Sequence, residues 1–184
     1  ESFGSGGYAR TPIGEMLPVY VEPTRPALPP GEYRIALSRD GSRMVYIGAD
    51  TMSGEQLWVR DLNSLTGRPL PGTSGATAPF FSPDGQSVGF FTGNPGDLRV
   101  MSVNGEPTLT VVRDSAVPWG GDWDEAGNIY FTSNRSVATR IPAGGGKAQA
   151  VGQLDSAAGV TEHDWLQALP GGKRLLVQLW HNSI

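Results

Sequence analysis

Apolar and polar positions alternate along this chain in short bursts, separated by Gly, Pro, Asp and Asn, the pattern of many brief strands joined by turns. In Phe81-Ser82-Pro83-Asp84-Gly85-Gln86-Ser87-Val88-Gly89-Phe90-Phe91 an apolar strand enters a tight turn, and a second strand leaves it ending in aromatic residues. Pro presets the φ of such a turn, Asp bonds to its own backbone, and Gly takes a conformation that a Cβ disfavours. The same hairpin recurs at residues 37–46, 123–131 and 168–177. Its turn glycines stand at 41, 85, 127 and 172, spaced by 44, 42 and 45 residues. A strand-turn-strand unit with a period in the low forties marks a four-stranded propeller blade. The expected fold is all-β, with antiparallel blades stacked side by side.

The first blade covers residues 33–73, with strands at 33–38, 43–49, 55–62 and 68–70. The second covers 74–116, with strands at 77–82, 87–92, 97–103 and 107–112. The third covers 117–161, its inner strand starting near Pro118 and the others at 128–132, 137–142 and 148–152. The fourth, 162–184, holds two of its four strands, at 162–169 and 174–180. Residues 1–32 differ: Pro12, Pro18, Pro23, Pro26, Pro29 and Pro30 keep an arm extended, and 17–22 suits an edge strand. This arm reads either as a linker from an upstream domain or as an arm lying on the blades or on a partner. Closure of a ring would need it to donate the missing strands, with Tyr20 and Val21 beside the last hairpin. A truncated chain, or an open arc whose edge a partner covers, are the alternatives, because a bare sheet edge invites pairing.

Composition narrows the function classes. The 26 Gly and 15 Pro among 184 residues leave no room for long helices, and a net charge of −4 lacks the basic footprint of a nucleic-acid binder. No cysteine is present, which removes disulfides and thiolate metal sites and suits cytosol or periplasm equally. No apolar run approaches the length of a membrane span. The chain opens on Glu1 rather than Met, so a processed form or a piece of a longer protein is expected.

The sequence shows no catalytic constellation. A peptidase elbow needs Gly-x-Ser-x-Gly, and Gly72-Thr73-Ser74-Gly75 is one residue short. His163 and His181 read as strand residues. Asp122-Trp123-Asp124-Glu125 superficially suggests an oxygen-ligand calcium loop, but Asp124 aligns with Ser38 and Ser82, so a solvated turn is expected. The glycine runs at 4–7 and 144–146 do not lie between a strand and a helix, as a phosphate loop does. No catalytic, cofactor or metal residue is therefore assigned. Aromatic residues recur at matching blade positions, where most should wedge between neighbouring sheets. Trp119 and Trp165 fall early in inner strands, near one mouth of the ring; core packing is the commoner fate of such rings, and a binding hot spot the sharper one. Together with Tyr8, Tyr20, Val21 and Trp180 they form the candidate partner-binding set.

Leu37-Ser38-x-Asp40-Gly41, Phe81-Ser82-Pro83-Asp84-Gly85 and Gln56-Leu57-Trp58-Val59-Arg60-Asp61-Leu62 resemble the TolB-type, WD-repeat-like propeller repeats of bacteria, across roughly residues 33–180. Members of that family commonly close with six or seven blades. This chain departs from it in having three and a half, and in carrying Ala126 and Gly171 where the first two turns carry Asp. The resemblance implies a non-catalytic protein–protein interaction or scaffold subunit of a larger membrane-associated assembly, periplasmic or extracytoplasmic, with protein partners, no nucleic acid and no cofactor. The alternative it implies is a sensor or lid propeller of a larger enzyme, a serine/threonine kinase or a prolyl-oligopeptidase-type peptidase.

Overall fold

The computed structural model describes residues 35–50, 54–93, 95–105, 107–133 and 135–181; Tyr8, Tyr20, Val21 and the 17–22 strand lie outside the described residues. Within them one hydrogen-bonded turn is built four times. The amides of Ser38, Ser82, Asp124 and Leu169 donate to the carbonyls of Arg43, Ser87, Asn128 and Arg174. Those of Gly41, Gly85, Gly127 and Gly172 donate back to the carbonyls of the same four residues. The four glycines have φ of 68, 67, 82 and 64°, in the left-handed region that only a residue without Cβ enters freely.

Side chains lock the first two turns in the same way. Ser38 Oγ donates to Asp40 Oδ1 at 2.6 Å and accepts the Arg43 N–H at 2.9 Å. Ser82 repeats this with Asp84 at 2.6 Å and Ser87 at 2.9 Å. The Ser38 hydroxyl, with the Ser42 N–H and O–H, holds the Asp40 carboxyl down at about 2, and Ser82 and the Gln86 N–H hold Asp84 low. In the third turn, where Ala126 replaces that acid, the carboxylate has moved to the first position. Asp124 accepts the Asn128 N–H at 2.8 Å and the Tyr130 hydroxyl at 3.0 Å. The solvated turn expected here is instead built around a carboxylate only 3% exposed. Its burial is tolerated because these donors satisfy it: desolvation pushes its pKa up, and the Asn128 and Tyr130 hydrogen bonds outweigh that and leave it lowered.

The strands follow from these turns as antiparallel meanders. Blade 1 is β1 (Ile35–Leu37), β2 (Arg43–Asp50), β3 (Gly54–Asp61) and β4 (Arg68–Pro69), in that order across the sheet. Blade 2 is β5 (Ala76–Phe81), β6 (Ser87–Gly93), β7 (Gly96–Ser102) and the first part of β8 (Leu109–Trp123). The sequence suggests two separate strands in this last region. The structure has one strand of 15 residues, since no glycine breaks the run from Leu109 to Trp119. Strand β8 pairs Thr110 and Val112 with β7, changes partner at Ala116, and pairs Asp122 and Trp123 with β9 (Asn128–Ser133). Blades 2 and 3 thus share a strand in a seven-stranded ladder, completed by β10 (Ala138–Pro142) and β11 (Gln149–Ala150). The fourth sheet is β12 (Val160–Ala168) and β13 (Leu175–His181).

Between successive sheets lie three apolar cores. Val45, Leu57 and Val59 of blade 1 meet Phe81, Val88 and Phe90 of blade 2. Phe80, Phe91 and Leu98 of blade 2 meet Ile129 and Phe131 of blade 3. Tyr130 and Ala138 of blade 3 meet Leu166 and Ala168 of blade 4. At the turn end, Arg39 Nη1 of the first turn reaches Glu125 Oε1 of the third at 2.8 Å, and Arg43 Nη1 donates to the Gly85 carbonyl of the second at 3.0 Å. An ion pair so exposed contributes little energy. Its value is geometric: turns 86 residues apart face each other across the inside of a curved stack.

Candidate functional site

The inner strands of blades 2, 3 and 4 are interrupted at the same point. Seven residues before the turn glycine stand Ala78, Gly120 and Trp165, with φ of 45, 125 and 49°. Strand pairing loses register there, between Thr77 and Phe80, Val117 and Gly121, and Asp164 and Gln167. A bulge inserts a residue, breaks the in-out alternation and re-aims a side chain. In blade 2 the bulge residue is a small buried Ala78. In blades 3 and 4 it brings out indoles: Trp119 is 36% exposed and Trp165 is 48% exposed. A left-handed φ at so bulky a residue as Trp165 is a genuine departure from preferred backbone geometry, held by the pairing on either side.

The fold has known counterparts among solved structures. Neither any family model nor any curated protein sequence matches the chain. Solved structures do. A TolB from Acinetobacter baumannii aligns with a TM-score of 0.60 at 19% identity, covering 80% of this chain and 40% of its own. A protein described as TolB from Agrobacterium tumefaciens aligns with a TM-score of 0.56 at 18% identity, over 69% of this chain and 51% of its own. A chain of a nidogen/laminin complex gives 0.61 at 16% identity, over 82% and 56%. The likeness shows the fold: β-propeller blades like those of these structures. The chain spans about half the length of the structures it matches.

On this propeller frame, three residues of the candidate partner-binding set gather around β12. Trp119 Nε1, from blade 3, donates to Glu162 Oε1 at 2.9 Å. Trp180, 50% exposed, is the cross-strand partner of Glu162 on β13. Trp165 follows Asp164 directly in the chain. Asp164 is 5% exposed with no hydrogen-bond partner for Oδ1. Burial and the neighbouring Glu162 charge raise its carboxyl to about 6, against a smaller lowering by the Trp180 side chain. The result is a rim of indoles and carboxylates along the inner strands of blades 3 and 4.

The sequence reading missed the two carboxylates of this rim, because Glu162 and Asp164 carry no motif of their own. Their spacing was available: Asp164 stands eight residues before its turn glycine, as Trp119 does before Gly127. It also left out the pins of the blade 3–blade 4 joint. His163 is 7% exposed, and its Nδ1 accepts the Ala138 N–H at 3.3 Å while its carbonyl accepts the Thr132 hydroxyl at 2.7 Å. Burial lowers its pKa, which favours the neutral ring that such an acceptor requires. Asp122 Oδ2 accepts the Ala168 N–H at 2.7 Å, and its pKa is raised because burial outweighs that bond. His181 lies against the Ala158 carbonyl at 3.1 Å. Among the described residues, no three His, Asp or Glu side chains converge to hold a metal ion, and no helix is long and apolar enough to cross a membrane.

Proposed function

We propose that this propeller is a non-catalytic protein-interaction module, whose binding surface is the rim formed by Trp119, Trp165, Glu162 and Asp164. The observation that carries this reading is the pair of indoles presented at the inner-strand bulges, 36% and 48% exposed, with Trp165 at the position where blade 2 buries the small Ala78. Exposed Trp beside carboxylates is the chemistry of an interaction hot spot: large rigid contact area, with polar groups that orient a partner. A basic side chain from the partner fits best, since it would neutralise Glu162, engage Asp164 Oδ1 and stack on an indole face. The TolB-type likeness supports a place in a membrane-associated assembly on the outer side of a bacterial cytoplasmic membrane. Residues 1–32 serve in this reading as an arm that extends the contact.

The test is capture from solubilised bacterial membranes with the wild-type chain and with the Trp119→Ala/Trp165→Ala double variant. Both substitutions remove exposed rings, so the variant is expected to keep its far-ultraviolet circular dichroism. Proteins retained by the wild type should fall at least about tenfold with the variant, the loss that two hot-spot residues produce. Equal retention by both proteins contradicts the reading.

A further inference from the structure

Blade 3 is flanked by blades 2 and 4, and its outer strand β11 is the last of its sheet. The Val151 N–H donates to the Ala138 carbonyl at 2.7 Å. Hydrogen-bonding direction alternates along a strand, so the N–H and C=O of Ala150 point away from β10, to the open side. The outer strands of blades 1 and 2 are guarded. β4 is Arg68 and Pro69, a charge and a residue that cannot donate, and the outer strand of blade 2 runs on as β8 into blade 3. β11, which is Gln149 and Ala150, has neither guard.

Beside this edge lies a cleft of about 640 Å³, a size typical of ligand sites. Its walls include Val137 and Thr139 of β10, Ala148 and Ala150 at β11, and Leu154. Thr139 is in register with Phe131 on one side and Ala150 on the other, so the cleft opens on the face that Phe131 turns toward blade 2. Cations stand at its two ends. Arg135 lines it just before β10, and Lys147 immediately precedes Ala148 at the opposite end. From Arg135 to Leu154 the chain carries Arg135, Arg140 and Lys147 and no acidic residue, in a protein of net charge −4. We infer that this edge receives an extended peptide of a partner protein as a further strand beside β11, its alternate apolar side chains filling the cleft and its acidic ones meeting Arg135 and Lys147. The outward N–H and C=O select a polypeptide backbone as the occupant. The cleft selects apolar side chains at every second position, and the two cations select carboxylates.

The experiment is fluorescence anisotropy of a labelled synthetic peptide, valine alternating with threonine and glutamate at both ends, titrated with the full 184-residue chain. The wild type is expected to bind it. Ala150→Pro removes the outward donor and leaves the pairing with β10 intact, so circular dichroism should be unchanged. Affinity should then fall by about tenfold, the upper end of what one lost hydrogen bond produces. Arg135→Glu/Lys147→Glu should reject this peptide and accept one with lysine at both ends, a reversal that misfolding cannot produce. The Trp119→Ala/Trp165→Ala variant should bind the peptide like the wild type, so this inference and the proposed function stand or fall separately. A wild type that does not bind the peptide overturns the inference. Equal binding by Ala150→Pro, or of a peptide with proline at the threonine positions, overturns it too, because the cleft would then hold side chains without strand addition. So does equal affinity of the wild type for the glutamate-ended and lysine-ended peptides.

Discussion

Phe91→Ala is expected to cost about 3–5 kcal/mol of folding stability, the range for deleting a fully buried Phe. Phe91 is 0% exposed and sits in the core shared by blades 2 and 3, with Phe131 and Ile129 facing it. Its ring also pairs with that of Phe80, centroids 6.0 Å apart and tilted by 46°. Removal therefore opens a cavity between two sheets and breaks an aromatic pair. Because β8 belongs to both blades, the loss should lower one cooperative transition in urea rather than split it. Leu109→Ala, at a residue 46% exposed on the same β8, is the control and should change stability by less than about 0.5 kcal/mol. Equal effects of the two substitutions would contradict a shared inter-blade core.

Gly89→Ala is expected to be the costliest single methyl addition among the inner hairpins, at roughly 3 kcal/mol. A Cβ at Gly89 would lie 2.2 Å from the Phe80 ring, and one at Gly121 would lie 2.7 Å from the same ring. Phe80 is thus pinched between two backbone segments and cannot withdraw toward either. The glycine is required by close approach, since Gly89 does not adopt a positive φ. In a Phe80→Leu background the smaller side chain relieves the clash, and the cost of Gly89→Ala should drop below about 1 kcal/mol, the signature of direct coupling. A cost unchanged in that background would place the strain elsewhere.

These two sites show what the sequence could and could not disclose. The turn glycines were legible because a left-handed φ leaves a residue-type mark, and a period in the low forties followed directly from them. The burial of Phe81, Phe90, Phe91 and Phe131 was legible from their recurrence at matching blade positions. The continuity of β8 was not, because the change of partner at Ala116 is a matter of which strand lies beside it, and no residue type signals that. The bulges escaped for a related reason: Ala78 and Trp165 are ordinary letters in unusual backbone positions, and only alignment on the turn glycine puts them in one class with Gly120. Asp124 was misjudged as solvated because its burial depends on the Tyr130 hydroxyl arriving from the next strand. Glu162 and Asp164 join the site only when blade 4 docks beside blade 3.

The central claim is that equivalent hairpins stack side by side into a curved array with their turns at one end. The contact most sensitive to that curvature is the one between Arg39 and Glu125, 2.8 Å apart at their tips and 86 residues apart in the chain. The chain has no cysteine, so an Arg39→Cys/Glu125→Cys variant carries the sole reactive thiols. A short bifunctional maleimide should join the two within one molecule under native conditions at dilute concentration, and the link should vanish in denaturant. Native protein that reacts at both thiols yet never links them would contradict the curved stack.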